Sequence, residues 1–338
     1  MNQRTILVTG GAGFIGIHLV NHLLKDVNVH KVIIVDNLIC ANLFFDQIKQ
    51  KWNKEYKNRF DFLNKNINSD DFIYNIKRLY PRIHEIYHLA SIASPILYKK
   101  YPFQTLDTSY IGSKNVFELT KHYNCKTMIA STSEIYGDPQ TTPQSEDYFG
   151  NVNCHGYRSC YDEGKRIMET LAFEYKKVYN CDIKIARIFN TYGPYMNIDD
   201  GRIIPSLIQS FLKKTPIQIF NGGNQTRCYN YIDDTLYGLF DLMKSDCKDP
   251  VNIGNDEEFT ILETYEKVKE IFKNEFSQYY IELPVEMGFS DKDDPKIRRP
   301  NLQKAKDILH YEIKTPFEDG IRKTIQYFIT HQYSIFTF

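Results

Sequence analysis

Two periods of apolar positions alternate along the first half of the chain. Thr5-Ile6-Leu7-Val8 is a short unbroken apolar run, as in a strand buried on both faces, and after a glycine-rich turn the pattern becomes amphipathic with helical spacing through about Lys25. Further apolar runs at Lys31 to Val35, Phe60 to Leu63, Glu85 to Leu89, Thr127 to Ser131 and Ile183 to Phe189 read as strands. Helical patterns over Ser69 to Leu79, Pro102 to Tyr123 and Tyr161 to Tyr179 separate them, the last marked by Ile167, Leu171, Tyr175 and Val178. Such alternation predicts an α/β fold, a doubly wound parallel sheet with helices on both faces. At Asn190-Thr191-Tyr192-Gly193-Pro194 the pattern breaks, and the chain is expected to leave the sheet there for a smaller, discontinuous C-terminal lobe. The expected division is residues 1–190, with roughly 231–255 returning, for the sheet domain, and 191–230 with 256–338 for the lobe. There is no internal repeat and no low-complexity linker.

The turn after the first strand, Thr9-Gly10-Gly11-Ala12-Gly13-Phe14-Ile15-Gly16, gives the sheet a ligand. Gly11, Gly13 and Gly16 fit G-x-G-x-x-G, and Gly10, Gly13 and Gly16 fit a three-residue spacing. Glycines permit a tight turn and let the free amides at a helix N-terminus approach a pyrophosphate. The second strand ends in Asp36, twenty residues after Gly16. An acid there accepts hydrogen bonds from a ribose hydroxyl and repels a 2'-phosphate, which favours NAD over NADP. Strand, turn, helix, strand and acid in register predict a Rossmann-type dinucleotide domain. In such a sheet the ligands lie beyond the carboxyl ends of the strands, so Leu89-Ala90-Ser91 and Ser131-Thr132-Ser133-Glu134 are expected to border them.

Tyr161 and Lys165, four residues apart, share one helical face. A free tyrosine has a pKa of about 10, so a tyrosinate base near pH 7 needs roughly 4 kcal/mol of selective stabilisation of the anion. Burial acts against this, so positive charge must supply it, part from Lys165 and the rest from an oxidised nicotinamide ring. An ordinary solvated helix explains the spacing equally well unless the dinucleotide site is present. Arg227, in Gly222-Gly223-Asn224-Gln225-Thr226-Arg227, and the basic loop Asp294-Pro295-Lys296-Ile297-Arg298-Arg299-Pro300 suit a diphosphate and a second anion, and solvated surface arginines explain either loop alone as well.

Composition narrows the remaining choices. Across 338 residues, 42 basic side chains balance 42 acidic ones, so net charge points to neither nucleic acid nor a membrane surface, and small-molecule partners are expected. Seven cysteines without a C-x-x-C pair read as reduced thiols, with no disulfide framework and no structural metal. No apolar run approaches transmembrane length, and a first strand at Thr5 leaves no room for a signal peptide, so a soluble cytoplasmic protein is expected.

With these features placed, the chain resembles the extended short-chain dehydrogenase/reductase family, and within it the UDP-glucuronate decarboxylases, or UDP-xylose synthases. The likeness runs over nearly the whole chain. It is densest in residues 131–139, 143–148, 160–166, 186–194 and 200–202, with Gln225-Thr226-Arg227, Arg298 and Pro300 completing it. The resemblance implies that Gly10, Gly13, Phe14, Ile15, Gly16, Asp36, Asn37, Leu89 and Ser91, with Tyr161 and Lys165, hold NAD. It implies that Tyr161 takes the proton of the sugar's 4-hydroxyl while NAD takes hydride from carbon 4, with Thr132 sharing the hydrogen bond. The ketone formed is beta to the carboxylate, so loss of carbon dioxide leaves an enolate held by Tyr161 and Thr132. Protonation at carbon 5 and return of hydride give UDP-xylose. Glu134 and Arg298 match positions implicated in decarboxylation and protonation. Asn190, Gln225, Arg227 and Tyr231 match positions near the nucleotide and diphosphate, and Tyr98 and Arg202 the sugar end. A homodimer formed by the helices starting at Pro102 and Tyr161 is implied too, although core packing within one subunit explains the same apolar residues.

Ser133 discriminates among relatives. The similar nucleotide-sugar 4,6-dehydratases carry Asp-Glu where this chain has Ser133-Glu134, because expelling a 6-hydroxyl needs a proton donor, and the 4-epimerases usually lack the glutamate. The chain departs from the family pattern at Ile17, Asn66, Ser109, Tyr195 and the stretch Asn153 to Tyr157. Such changes leave open an apiose/xylose synthase or a decarboxylase releasing the 4-keto-pentose; a UDP-glucose 4,6-dehydratase and a non-catalytic NAD-binding sensor are the remaining alternatives. His88, His155, Cys154 and Cys160 are expected to be structural.

Overall fold

The computed structural model describes residues 3–288 and 295–332. Strand β1 (Arg4–Thr9) leads through the glycine turn to α1 (Phe14–Lys25), β2 (Val29–Asp36), α2 (Phe45–Tyr56), β3 (Phe60–Asn64), α3 (Phe72–Leu79) and β4 (Glu85–His88). Helices α4 (Pro95–Lys100) and α5 (Pro102–Asp107), a π-helical turn at Thr108–Gly112 and α6 (Ser113–Tyr123) return the chain to β5 (Lys126–Thr132). Helix α7 (Ser159–Tyr179) feeds β6 (Ile183–Ile188). The rest comprises β7 (Thr191–Tyr192), α8 (Ile203–Lys213), β8 (Ile217–Phe220), β9 (Thr226–Cys228), β10 (Asn230–Tyr231), α9 (Ile232–Lys244) and β11 (Val251–Ile253). After these come β12 (Glu258–Thr260), α10 (Ile261–Glu275), β13 (Val285–Gly288), α11 (Gln303–Leu309) and α12 (Phe317–Tyr327).

Seven strands form one parallel sheet in the order β11-β6-β5-β4-β1-β2-β3. Its strands are apolar on both sides because helices cover both faces. Ile6, Val8, Val32 and Ile34 pack toward α1, Trp52 and α9, while Leu7, Ile33 and Val35 pack toward Ile76, Val116, Phe117, Met168 and Ala172. Sequence order reverses between β1 and β4, which opens a crevice at their carboxyl ends. Beyond Asn190, β7 pairs with β10, β9 with β12 and β8 with β13 in two-stranded sheets outside the main one, while β11 pairs with β6 in it.

Gln144, 1% exposed, fixes the basic loop to the sheet domain. Its amide donates to Arg299 O, its Oε1 accepts from Arg299 N, and its carbonyl accepts from Asn301 N, each at 2.8 Å. Asn252 of β11 donates to the carbonyls of Gln144 (3.0 Å) and Asn301 (3.1 Å). Asp294, at the start of that loop, lies outside the described residues.

Several elements differ from the expectation. Helices α2 and α4 were not anticipated, although Phe45, Ile48 and Trp52 give α2 a buried stripe. The run from Pro102 to Tyr123 is three pieces, because the π turn interrupts α-helical register where Ser109 Oγ donates back to Thr105 O at 2.9 Å. Helix α3 starts at Phe72 because Ser69 is held in a turn, its amide and hydroxyl both bonding Asn66 O. In α7 the predicted stripe is split: Tyr175 is buried, but Ile167 and Val178 face solvent, while Met168 and Ala172 pack on the sheet and Gly164 on Ser109.

Gly16 is where α1 meets the turn, and a β-carbon there would lie 2.2 Å from Gly10 O. At Gly13 the nearest atom would be 3.4 Å away. Gly16→Ala is therefore expected to cost about 1–3 kcal/mol by forcing helix and turn apart, read as a Tm several degrees lower, whereas Gly13→Ala leaves the Tm close to the parent's.

Candidate active site

One cleft of about 930 Å³ runs across the carboxyl ends of the strands. Gly10, Gly13, Phe14, Ile15, Gly16, Asp36, Asn37, Leu89 and Ser91 line one end. Helix α1 begins at Gly13 with no side-chain cap, so its first amides are left for a ligand. Asp36 accepts from Ala12 N at 3.0 Å and Leu38 N at 2.8 Å, holding the turn, and a carboxylate with two further lone pairs can still take a ribose hydroxyl. Burial raises its pKa, and the two amides pull the other way. Ser91 Oγ is buried without a hydrogen-bond partner. A glycine cradle, an acid beyond it and an orphaned hydroxyl fit a dinucleotide.

At the other end, β5 delivers Thr132 and Ser133, and α7 delivers Tyr161 and Lys165 one turn apart, all four buried. Lys165 Nζ donates to Ala130 O at 2.7 Å and stands 5.7 Å from the Tyr161 ring centre. Burial pulls the Lys165 pKa down to about 8, against Glu169. Tyr98 stacks on Tyr161 at 5.2 Å and 11°, and its hydroxyl is buried without a hydrogen-bond partner. The Tyr161 phenol is pushed up to about 12, first by burial and then by Glu134, while the Thr132 hydroxyl and Arg202 oppose. Lys165 is turned to the Ala130 carbonyl, and the groups that act to lower the Tyr161 pKa are the Thr132 hydroxyl and Arg202.

Glu134 opens the short helical turn Ser133–Tyr136 with its amide on Thr132 Oγ1 at 3.3 Å. Its carboxylate lies between two arginines. Arg298 Nη2 is 2.8 Å from Oε1 and 2.9 Å from Oε2, and Arg158 Nη2 is 2.6 Å from Oε2. Burial works to raise the pKa of Glu134, but Arg298, Arg158 and the more distant Arg227 prevail and hold it at about 2. Arg298 Nη1 also donates to Asn190 Oδ1 at 3.1 Å. Arg202, paired with Asp200 at 3.2 Å, Gln225, whose Oε1 is buried without a partner, and Arg227 line the same cleft.

Tyr231 does not. Its ring is 4% exposed, packed on Tyr192 and beneath Lys323, while Tyr229, just before β10, lines the cleft. Arg158 was not singled out by sequence, and its position three residues before Tyr161 is the only signal that marks it. His88 bridges Thr9 Oγ1 (2.7 Å) and Ser113 Oγ (3.0 Å) in the core, and burial lowers its pKa to about 3. His155 and Cys154 are exposed outside the cleft, and Cys160 Sγ donates to Tyr98 O at 3.6 Å. All seven cysteines are free. Among the described residues no His, Cys, Asp and Glu group could hold a metal ion, and no helix is long and apolar enough to cross a membrane.

Comparison with known proteins agrees with this geometry. The family model described as GDP-mannose 4,6 dehydratase matches residues 7–324. UDP-glucuronic acid decarboxylase 6 of Arabidopsis thaliana is 42% identical over 320 residues, covering 95% of this chain and 87% of that protein. UDP-glucuronic acid decarboxylase 1 of Danio rerio is 40% identical over 97% of this chain and 73% of its own length. Among solved structures, UDP-glucuronic acid 4-epimerase from Bacillus cereus, in complex with UDP-glucuronic acid and NAD, superposes with a TM-score of 0.84 at 28% identity, over 96% of this chain and 99% of that one. The chain belongs to the UDP-glucuronic acid decarboxylase family of the extended short-chain dehydrogenase/reductases.

Proposed function

We propose that the protein decarboxylates UDP-glucuronate to UDP-xylose with NAD, by oxidation at carbon 4, loss of carbon dioxide and re-reduction. The observation that carries this reading is that Tyr161, Thr132 and an arginine-held, ionised Glu134 open onto the same cleft as the glycine turn. Residues 1–190 with roughly 231–255 hold the cofactor, and 191–230 with 256–338 hold the UDP-sugar.

NAD, when bound, supplies the acceptor and later the donor of the carbon 4 hydride. Tyr161 as phenolate removes the 4-hydroxyl proton, and the Thr132 hydroxyl donates to the same oxygen. The carboxylate of the 4-ketone then leaves as carbon dioxide, and its bonding pair moves onto the carbon 4 oxygen, which Tyr161 and Thr132 hold. A proton enters at carbon 5 and the hydride returns to carbon 4, so the sum is UDP-glucuronate plus a proton giving UDP-xylose plus carbon dioxide. Ser133 suits this sequence because no hydroxyl is expelled and no leaving-group acid is needed. Arg227 and Gln225 are placed for the nucleotide end, and Arg202 and Tyr98 for the sugar.

Burial and Glu134 push the Tyr161 phenol up to about 12, so positive charge must offset them. Lys165 turned toward the phenol would supply part of it, and an oxidised nicotinamide the rest.

Purified protein given UDP-glucuronate and catalytic NAD is expected to form UDP-xylose by NMR with no net NADH absorbance. A 4-keto-pentose with stoichiometric NADH would discard the return hydride, and turnover of UDP-glucose instead would overturn the reading.

Lys165 gives a prediction with opposite signs in stability and rate. Its folded pKa lies below the unfolded value, so between about 8 and the ordinary lysine range the unfolded chain holds a proton that the folded chain has released. Stability of the cofactor-free protein therefore rises with pH across that window, and at neutrality the buried ammonium is a cost. Lys165→Met is expected to melt no lower than the parent at pH 7 while kcat falls on the order of 10³-fold, as thermal denaturation and turnover will report.

A homodimer and a cytoplasmic setting complete the proposal. Free thiols at all seven cysteines suit a reducing compartment. Helices α5 and α7 pack together and leave apolar side chains outward, Phe103 at 76% and Val178 at 62% exposure, with Tyr110 and Ile167 also exposed. Light scattering is expected to give twice the chain mass, and the double variant Phe103→Glu, Ile167→Glu a monomer.

A further inference from the structure

Glu134 is gripped from two separate parts of the chain. Arg298 lies 164 residues further on, in the loop that Gln144 fastens, whereas Arg158 caps the start of α7, three residues before Tyr161. Arg158 is 8% exposed, its Nη2 is the shortest contact to the Glu134 carboxylate at 2.6 Å, and its Nε faces Asp162 at 3.8 Å one turn along the same helix. No hydride or proton of the proposed reaction needs Arg158, yet a buried guanidinium is costly to desolvate and is kept where it touches two carboxylates.

We propose that Arg158 is a positioning residue that fixes Glu134 as an ionised acceptor and anchors it to the helix carrying the catalytic base. Two consequences follow for the reacting groups. With arginine on both sides, Glu134 works as a carboxylate throughout the cycle and the carbon 5 proton comes from elsewhere. Glu134 also opposes ionisation of Tyr161, and Arg158 offsets that negative charge. The groups facing Glu134 are Arg298 from the basic loop, Arg227 from β9, Arg158 from α7, Tyr161 from α7 and Tyr98 from α4; Asp162 faces Arg158. Of the arginines that face Glu134, Arg158 alone adjoins the helix of Tyr161 and Lys165, as its N-cap.

This inference rests on the decarboxylase reading for its kinetic part and stands apart from it in titration. Protein labelled with carboxyl-13C glutamate, its Glu134 signal assigned by Glu134→Gln, is titrated by NMR from about pH 7.5 to about 4. The parent signal is expected to stay that of a carboxylate. In Arg158→Met its midpoint rises by roughly 2 to 3 pH units, into the titrated range, as for loss of an opposite charge at contact. With UDP-glucuronate and NAD, the same variant should lose about 100-fold in kcat with KM changed less than about threefold, and the acid limb of its kcat profile should move up with the NMR midpoint. Arg158→Lys keeps the charge without the fork: it should hold the midpoint near the parent's and lie between parent and Arg158→Met in kcat. An Arg158→Met protein with parental Glu134 titration overturns the proposal, as does a lowered kcat with an unmoved acid limb. Should Arg158→Met not fold, Arg158→Lys decides alone, with parental kcat overturning it. A parent that titrates as described but leaves UDP-glucuronate untouched refutes the reaction, and leaves the fixing of Glu134 by Arg158 to the NMR result.

Discussion

A charge cannot stay in this cleft unpaired, and most of the catalytic end follows from that. The effective penalty for burying an ion is several kcal/mol even after relaxation. Glu134 is therefore tolerable at 9% exposure because Arg158 and Arg298 reach it, and Gln144, Asn252 and Asp138 help to fasten the loop that carries Arg298. The lobe and the sheet are joined at the site itself. Lys165 meets the same penalty with one carbonyl, so its ammonium is weakened rather than fully stabilised.

The parallel sheet explains why these groups meet. Strands β1, β2, β4 and β5 all end on one edge, so the glycine turn, Asp36, Ser91 and Thr132 face one crevice although they are far apart in sequence. Helix α7 crosses behind β5 and presents Tyr161 and Lys165 into the same space. Burial and Glu134 push the Tyr161 phenol up, and the Thr132 hydroxyl and Arg202 oppose them.

What was legible in the sequence was local. The strand, glycine turn and acid lie within 36 residues, and a buried parallel strand writes itself as an apolar run, so the sheet and the cofactor end could be read directly. Tyr161 and Lys165 were readable because a helix sets their spacing. Non-local constraints were not. Arg158 acquires its meaning from Glu134, 24 residues away across a loop, and its place three residues before Tyr161 is the one local signal that marks it. Tyr231 was misplaced because its ring is taken up by Tyr192, a contact across a strand pairing that the sequence does not display, while Tyr229 lines the cleft. In α7 the apolar stripe predicted the helix but not its buried face, since close packing at Gly164 against Ser109 favours small residues inward and leaves Ile167 and Val178 outside. The π turn depends on a serine-to-carbonyl bond, which has no periodic signature.

The closed hydride cycle is tested most directly by supplying UDP-glucuronate deuterated at carbon 4, in ordinary water with unlabelled NAD, and locating the label by NMR and mass spectrometry. Deuterium retained at carbon 4 of the pentose, with hydrogen from water at carbon 5, is the result expected of one hydride removed and returned by the same bound cofactor. Label found in released NADH, or a pentose with ordinary hydrogen at carbon 4, would contradict it.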